Sequence, residues 1–173
     1  MVVGVLSGKT EKPMNETLNQ KQQALVAVAA CEAKDDQKTL ERILDDAFER
    51  GVLTVNEAKE TLSQLYAYTG FPRSLNALAS LQKVVAERRK KNRSVEVGCD
   101  ASPLPDDYDA LKQGAVVQTR MSGKPFDYAF APAVDYYLKA HLFGDIFARD
   151  VLTYSEREIV TVAALSAIDG VEP

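Results

Sequence analysis

The sequence of 173 residues contains no tryptophan, one histidine and two cysteines. The cysteines, Cys31 and Cys99, lie far apart and form no C-x-x-C pair, so a disulfide framework is not indicated. No cluster of metal-binding side chains is visible in the sequence either. We therefore expect neither a bound metal nor another cofactor.

Long apolar runs are also missing. None approaches the ~20 residues of a membrane span, and the first lysine follows the apolar start, the wrong order for a signal peptide. The net charge of −4 argues against a general affinity for nucleic acid or anionic membranes. We interpret the basic run from Arg88 to Arg93 as the solvated end of a helix. These absences predict a cytoplasmic protein without a membrane or nucleic-acid partner.

The sequence shows no sustained alternation of β-branched and polar residues, which argues against strands. Hydrophobic residues at 46% and charged residues at 27% are typical of a packed globular core. Apolar residues instead recur at helical spacing, and the links between them are short. We therefore predict an all-α fold, an antiparallel helical bundle.

Changes in composition divide the chain into four parts. Residues 1–17 form a polar N-terminal arm, and residues 18–93 hold the first series of helices. Residues 94–106 contain a glycine and two prolines, and they interrupt every periodicity, as a linker does. Residues 107–173 hold the second series.

The second series repeats part of the first. Residues 18–33 align without a gap on residues 152–167, and six of the sixteen positions are identical. Both copies begin with a capping box, Asn19 with Gln22 and Thr153 with Glu156. We infer a duplicated helical unit.

Three stretches resemble the carboxymuconolactone decarboxylase family, which includes alkylhydroperoxidase D. They are the helix–Gly-x-Pro–helix stretch from Gly51 to Leu78, the stretch from His141 to Leu165, and the GVEP sequence at 170–173. The resemblance implies an alkylhydroperoxidase D-like fold of two related units, of which the second is incomplete at its C-terminal end. It also implies oligomerisation, and either decarboxylation of a muconolactone-type acid or thiol-dependent peroxide reduction.

The peroxidase branch of the family uses a glutamate and a Cys-x-x-Cys…His set as a proton relay. Glu158 lies at the position of the relay glutamate, but neither copy contains the cysteine pair, which disfavours thiol peroxidase activity. The first copy has Gln23 and Ala24 where the second has Arg157 and Glu158. We therefore expect a decarboxylase-like protein that acts on a small carboxylic acid or lactone through the second copy. The alternative is a non-catalytic helical scaffold or binding module, because a fold does not carry its activity with it.

Five residues are candidates for the site. Arg157 and Arg149 could hold a substrate carboxylate, Glu158 and His141 could transfer protons, and Tyr68 could line the pocket. Each also has a structural interpretation: a position favoured by the helix dipole for Glu158, a surface ion pair for Arg157, and a loop ion pair for Arg149. His141 would be a partly buried structural histidine, and Tyr68 a core aromatic.

The second copy also predicts self-association. Without the helices that close the unit, its apolar residues have too few partners; they are Ile159, Val162, Ala163 and Ile168. Leaving such residues in water costs ~25 cal/mol per Å² of apolar surface. We therefore expect a homo-oligomer that binds a small carboxylate.

Overall fold

The computed structural model describes residues 18–171, so the predicted arm at 1–17 lies outside the described residues. The helices are α1 (Gln20–Ala33), α2 (Gln37–Glu49), α3 (Val55–Thr69), α4 (Phe71–Lys90), α5 (Ala110–Ser122), α6 (Pro132–Tyr136), a π-helix (Tyr137–Ile146) and α7 (Tyr154–Ala167). Between residues 18 and 171 there is no strand, which confirms the all-α prediction. None of these helices is both long and apolar enough to cross a membrane.

Capping boxes are present at the starts of α1, α3 and α7, and they include the two predicted for the repeated helices. In each box the side chain of the cap residue accepts a hydrogen bond from the backbone N–H of the residue three positions later. The Glu or Gln side chain at that later position accepts one from the backbone N–H of the cap residue. The pairs are Asn19–Gln22, Thr54–Glu57 and Thr153–Glu156. Two of the otherwise unpaired N–H groups at each start are satisfied in this way.

One lysine joins these three helix starts. The Lys21 ammonium lies 2.6 Å from Glu57 Oε1 and 2.8 Å from Glu156 Oε1. Because all three residues belong to the first turns of their helices, α1, α3 and α7 begin side by side and run in the same direction. The two repeated helices, α1 and α7, pack against each other along their length.

Helices α1 to α4 are joined by short links, and successive helices run antiparallel. Gly70, at φ +82°, ends α3, and Pro72 lies in the first turn of α4. The main core joins these four helices to Leu152, Val160 and Ala164 from the end of the chain. The two predicted units therefore share one core.

The basic end of α4 is not uniformly solvated. Arg88 is buried, with its guanidinium 2.6 Å from Asp45 Oδ1 and 2.7 Å from Glu49 Oε2. Arg93 reaches the same two carboxylates. The interpretation of this run as a solvated helix end is therefore wrong for Arg88, which ties α4 to α2.

The predicted linker at 94–106 is not helical, and it docks on the start of α3. The backbone N–H groups of Val55 and Asn56 donate to the carbonyls of Glu96 and Val97 at 3.0 and 2.9 Å. The Asn56 side chain donates to Asp100 Oδ1 at 3.0 Å. The linker thus satisfies helix N–H groups that would otherwise need water.

The α5 helix and the π-helix form a hairpin with glycines at its closest approach. A Cβ added to Gly114 would lie 1.8 Å from the Lys139 carbonyl oxygen, and one added to Gly144 would lie 2.2 Å from that of Ala110. A second, smaller cluster of apolar side chains, centred on Leu142, ties the hairpin to α3 and α7. The sequence predicted helix here, but it did not predict the π geometry of residues 137–146.

Candidate functional site

A large apolar groove runs between the repeated helices α1 and α7. Its volume is about 640 Å³. Its lining residues are mostly small or apolar: Leu18, Val26, Ala30, Ser155, Glu158, Ile159, Val162, Ala163, Ser166 and Ala167. Grooves of this size and composition are typical of sites for small apolar ligands.

Glu158 is the only charged residue in that lining. It is half-buried, and it makes no hydrogen bond or ion pair within the part of the chain that the structure describes. Burial alone raises the pKa of the Glu158 carboxyl, because loss of water disfavours the charged form. The protonated acid is therefore more populated here than in a solvated glutamate, as a general acid requires.

Arg157 points away from the groove, because adjacent residues of an α-helix are about 100° apart. Its side chain is fully buried, where the sequence suggested a surface ion pair. The guanidinium donates to Gln64 Oε1 at 3.0 Å, to Glu60 Oε2 at 3.1 Å and to the Arg149 carbonyl at 2.6 Å. A substrate carboxylate could reach Arg157 only if this network opened.

Arg149 belongs to the same network. Its Nε donates to Glu60 Oε1 at 2.8 Å, while half of the side chain stays exposed. The carboxylate of the next residue, Asp150, accepts hydrogen bonds from the backbone N–H and the hydroxyl of Ser102, at 2.8 and 2.6 Å. Glu60 therefore bridges two arginines and ties α3 to the segment that enters α7.

His141 lies on the π-helix, outside the lining of the groove. Its ring is exposed rather than partly buried, with Nδ1 2.8 Å from Asp145 Oδ2. The centroid of its ring is 5.7 Å from that of Tyr66. The structure therefore does not bring His141 and Glu158 to one cavity of this chain.

Tyr68 packs between the two apolar clusters and does not line the groove. Burial raises the pKa of its hydroxyl, against an opposing hydrogen bond with Thr161. Its position is that of a core aromatic with its polar end near α7.

Sequence reasoning missed Glu60 and Gln64, the partners that hold Arg157. Gln64 Nε2 also donates to the Arg157 carbonyl at 2.8 Å and to Thr161 Oγ1 at 2.9 Å. Asn56, Glu60 and Gln64 recur every fourth residue on α3, and all three are buried. A row of polar residues at helical spacing within an apolar helix face was the signal that could have identified them.

The two thiols are free and lie apart from the groove lining. Cys31 is half-buried, and burial raises the pKa of its thiol. A raised thiol pKa lowers the fraction of reactive thiolate at neutral pH. Cys99 is exposed on the linker. Peroxidase activity therefore stays the disfavoured alternative.

Glu32, at the end of α1, is another buried carboxylate. Its Oε1 accepts from Thr69 Oγ1 at 2.7 Å, whereas its Oε2 is buried without a hydrogen-bond partner in residues 18–171. Burial raises the pKa of Glu32, which outweighs the opposing effects of Thr69 and the Arg73 charge.

Glu32 is expected to make stability fall as pH rises. Below its ordinary pKa of 4.5 the carboxyl is neutral in both the folded and the unfolded state. Above that value the unfolded chain releases the proton first, so stability falls by up to ~1.4 kcal/mol per pH unit until the raised folded-state pKa is passed. Glu32→Gln should remove this slope. Urea unfolding between about pH 4 and pH 8 measures it, with exposed Glu87→Gln as the control. Equal slopes for wild type and Glu32→Gln would contradict the assignment.

Neither family models nor curated proteins give a match to this sequence. The resemblance to the carboxymuconolactone decarboxylase family therefore depends on the sequence motifs alone.

Proposed function

We propose that this protein is carboxymuconolactone decarboxylase-like and acts on a small carboxylic acid or lactone in the α1/α7 groove. The observation that carries the proposal is Glu158, a half-buried carboxyl with a raised pKa and no partner in residues 18–171, in an otherwise uncharged groove. Glu158 also occupies the position of the family's relay glutamate.

The proposed chemistry is a proton transfer. The apolar walls hold the carbon skeleton of the substrate, and Glu158 acts as the general acid. As the bond to the carboxylate breaks, its electron pair stays on the remaining carbon, which takes the Glu158 proton while CO₂ leaves. Solvent at the open side of the groove then returns a proton to Glu158.

The substrate carboxylate needs a hydrogen-bond donor. Arg157 is enclosed and therefore not available for this contact. The hydroxyls of Ser155 and Ser166 are the donors at the two ends of the groove lining. Ser155 lies in the first turn of α7, where the helix dipole favours an anion.

Glu158→Gln is expected to lower kcat by ~10²–10⁴-fold toward a muconolactone-type acid, the usual contribution of a general acid. Gln fills a similar volume, so the fold should persist. The wild-type rate should fall as pH rises through the raised Glu158 pKa, because only the protonated form donates. The measurement is CO₂ release across pH, with exposed Glu87→Gln as the matched control.

A second candidate function is a non-catalytic binding module of the same fold. It is favoured by the burial of Arg157 and the separate position of His141, which leave Glu158 without a second polar side chain of the predicted set. Full retention of substrate turnover by Glu158→Gln would rule out the acid role of Glu158. Absence of turnover in the wild type, together with ligand binding that Glu158→Gln leaves unchanged, would favour the binding module.

A further inference from the structure

A second groove lies between α3 and α4, and we call it the α3/α4 groove. Its volume is about 540 Å³, which is within the usual range of small-molecule sites. On α3 its lining residues recur every fourth position, at Val55, Lys59 and Ser63, so that they share one side of the helix. The lining shares no residue with that of the α1/α7 groove. The two grooves are therefore separate surfaces of the chain.

The floor of the α3/α4 groove is apolar and already packed. Val55, Leu81 and Val85 line it and belong to the main core, with at most 8% of each side chain exposed. A ligand therefore does not have to order these walls when it binds. The same burial leaves little apolar surface for a protein partner, since a stable interface covers ~800 Å² on each side. The groove is thus better suited to a small molecule than to a helix of another protein.

Lys59 and Arg89 give the α3/α4 groove its charge. Both residues are exposed, and the lining contains no carboxylate from residues 18–171. The Lys59 ammonium donates to Asn56 Oδ1 at 3.2 Å, and neither cation forms an ion pair in this part of the chain. Arg88, one position before Arg89, is instead paired with two carboxylates of α2. The groove therefore combines an apolar floor with two cations that have no acidic partner.

We propose that the α3/α4 groove binds an amphipathic carboxylate, a small molecule with an apolar chain or ring that ends in one anionic group. The floor takes the apolar part, and Lys59 and Arg89 bind the carboxylate. A guanidinium is well suited to this contact because it can donate two parallel hydrogen bonds to the two carboxylate oxygens. The α1/α7 groove has the opposite character, because its one charged residue is the acid Glu158.

The order of residues along the hairpin gives the ligand a direction. Ser63 and Leu78 are the lining residues nearest to the turn at Gly70, and both are uncharged. Arg89 lies in the last turn of α4 and is farthest from that turn in sequence. The apolar part of the ligand therefore points toward Gly70, and its carboxylate points toward Arg89.

The test is a titration of the full chain with octanoate, followed by nuclear magnetic resonance of the backbone amides. Concentrations up to about 3 mM are needed, because ligands of about ten atoms bind weakly. The amide shifts are expected to change in α3 and α4 around Lys59 and Leu81. Octanol, which has the same chain without the charge, should bind more weakly. Added salt should weaken the binding of octanoate and leave that of octanol unchanged, because salt screens exposed charges.

Variants of the two cations test the charge. Arg89→Gln and Lys59→Gln should each weaken octanoate binding about two- to five-fold, the effect of one exposed charge pair. Neither should alter octanol binding. Lys90→Gln is the matched control, because Lys90 is exposed at the next position of α4 and lies outside the lining. It should leave both affinities unchanged.

A blocking variant tests the location. Ala86→Trp, at an exposed position of the lining, should prevent the binding of both ligands. Ala79→Trp is its control, because Ala79 is exposed on α4 outside the groove. The site does not depend on the proposed reaction at Glu158. Octanoate binding and CO₂ release are separate measurements, so failure of either proposal leaves the other standing.

Three results would overturn the proposal. The first is the absence of any shift change in α3 and α4 over the whole titration. The second is equal octanoate affinity in the wild type and in the double variant of Lys59→Gln with Arg89→Gln. The third is a set of shift changes confined to α1 and α7, which would assign octanoate to the other groove. Circular dichroism verifies folding, and the substitutions of the two exposed cations keep the test decisive if Ala86→Trp unfolds.

Discussion

Arg157→Gln is expected to destabilise the fold by about 3 kcal/mol, the lower end of the range for breaking a buried ion pair. The guanidinium is fully buried and binds side chains of α3 and the backbone of the segment that enters α7. Its loss leaves the Gln64 Oε1 acceptor without its donor. The effect is at the low end because Glu60 keeps Arg149 as a partner. Urea unfolding followed by far-ultraviolet circular dichroism measures it.

Arg149→Gln provides the matched control, because Arg149 binds the same Glu60 carboxylate from a half-exposed position. Its loss should cost less than about 1 kcal/mol, since water screens exposed ion pairs. Adding Glu60→Gln to Arg157→Gln should recover part of the lost stability, because a neutral amide then replaces a buried carboxylate that is left with only the half-exposed Arg149 as its partner. Equal effects of Arg157→Gln and Arg149→Gln would show that the buried network is not what holds α7 on α3.

Gly114→Ala is expected to separate α5 from the π-helix and to cost about 3 kcal/mol, the upper end of the usual range for overpacking. The new Cβ would lie 1.8 Å from the Lys139 carbonyl oxygen and 2.7 Å from the Gly144 nitrogen. Both are backbone atoms, so no side-chain rotation relieves the clash. In an open helix position the same change stabilises by up to about 1 kcal/mol, so the expected sign is the reverse of the helix-propensity effect.

Hydrogen exchange of the α5 and π-helix amides measures the change directly, and tyrosine fluorescence reports it in a chain without tryptophan. Gln113→Ala is the control, because Gln113 is exposed on the same turn of α5. Protection should be lost in the hairpin and retained in α1 to α4, whose core is separate from the hairpin cluster. Unchanged hairpin protection in Gly114→Ala would contradict the close approach.

Local rules predicted much of the fold. Capping boxes and apolar spacing depend on residues three or four positions apart, and α1 to α4 and α7 follow them closely. The burial of Leu40, Leu44 and Phe48 on one face of α2 is an example. The repeat also identified the pair of helices that frames the groove.

Long-range pairing was not predictable in the same way. Arg157 looks like a surface residue in the first turn of a helix, because its partner Glu60 is 97 positions away. The π-helical geometry around His141 was not predictable for a related reason. It accompanies the close contact of Gly144 with α5, which no pattern of apolar residues in the sequence indicates. Glu158 was a candidate because of the family resemblance; the groove around it needed the tertiary arrangement.

The side-by-side arrangement of α1 and α7 has a consequence for folding during synthesis. The first of the described helices to leave the ribosome completes its packing only against the last one, and Lys21 lacks Glu156 until then. Helices α1 to α4 can collapse early, but one side of α1 stays open until the synthesis of α7, which begins more than a hundred residues after the end of α1. Contacts between distant parts of a chain form late because closing long loops is entropically costly. The packing of α1 against α7 is therefore the last part of the described bundle to form.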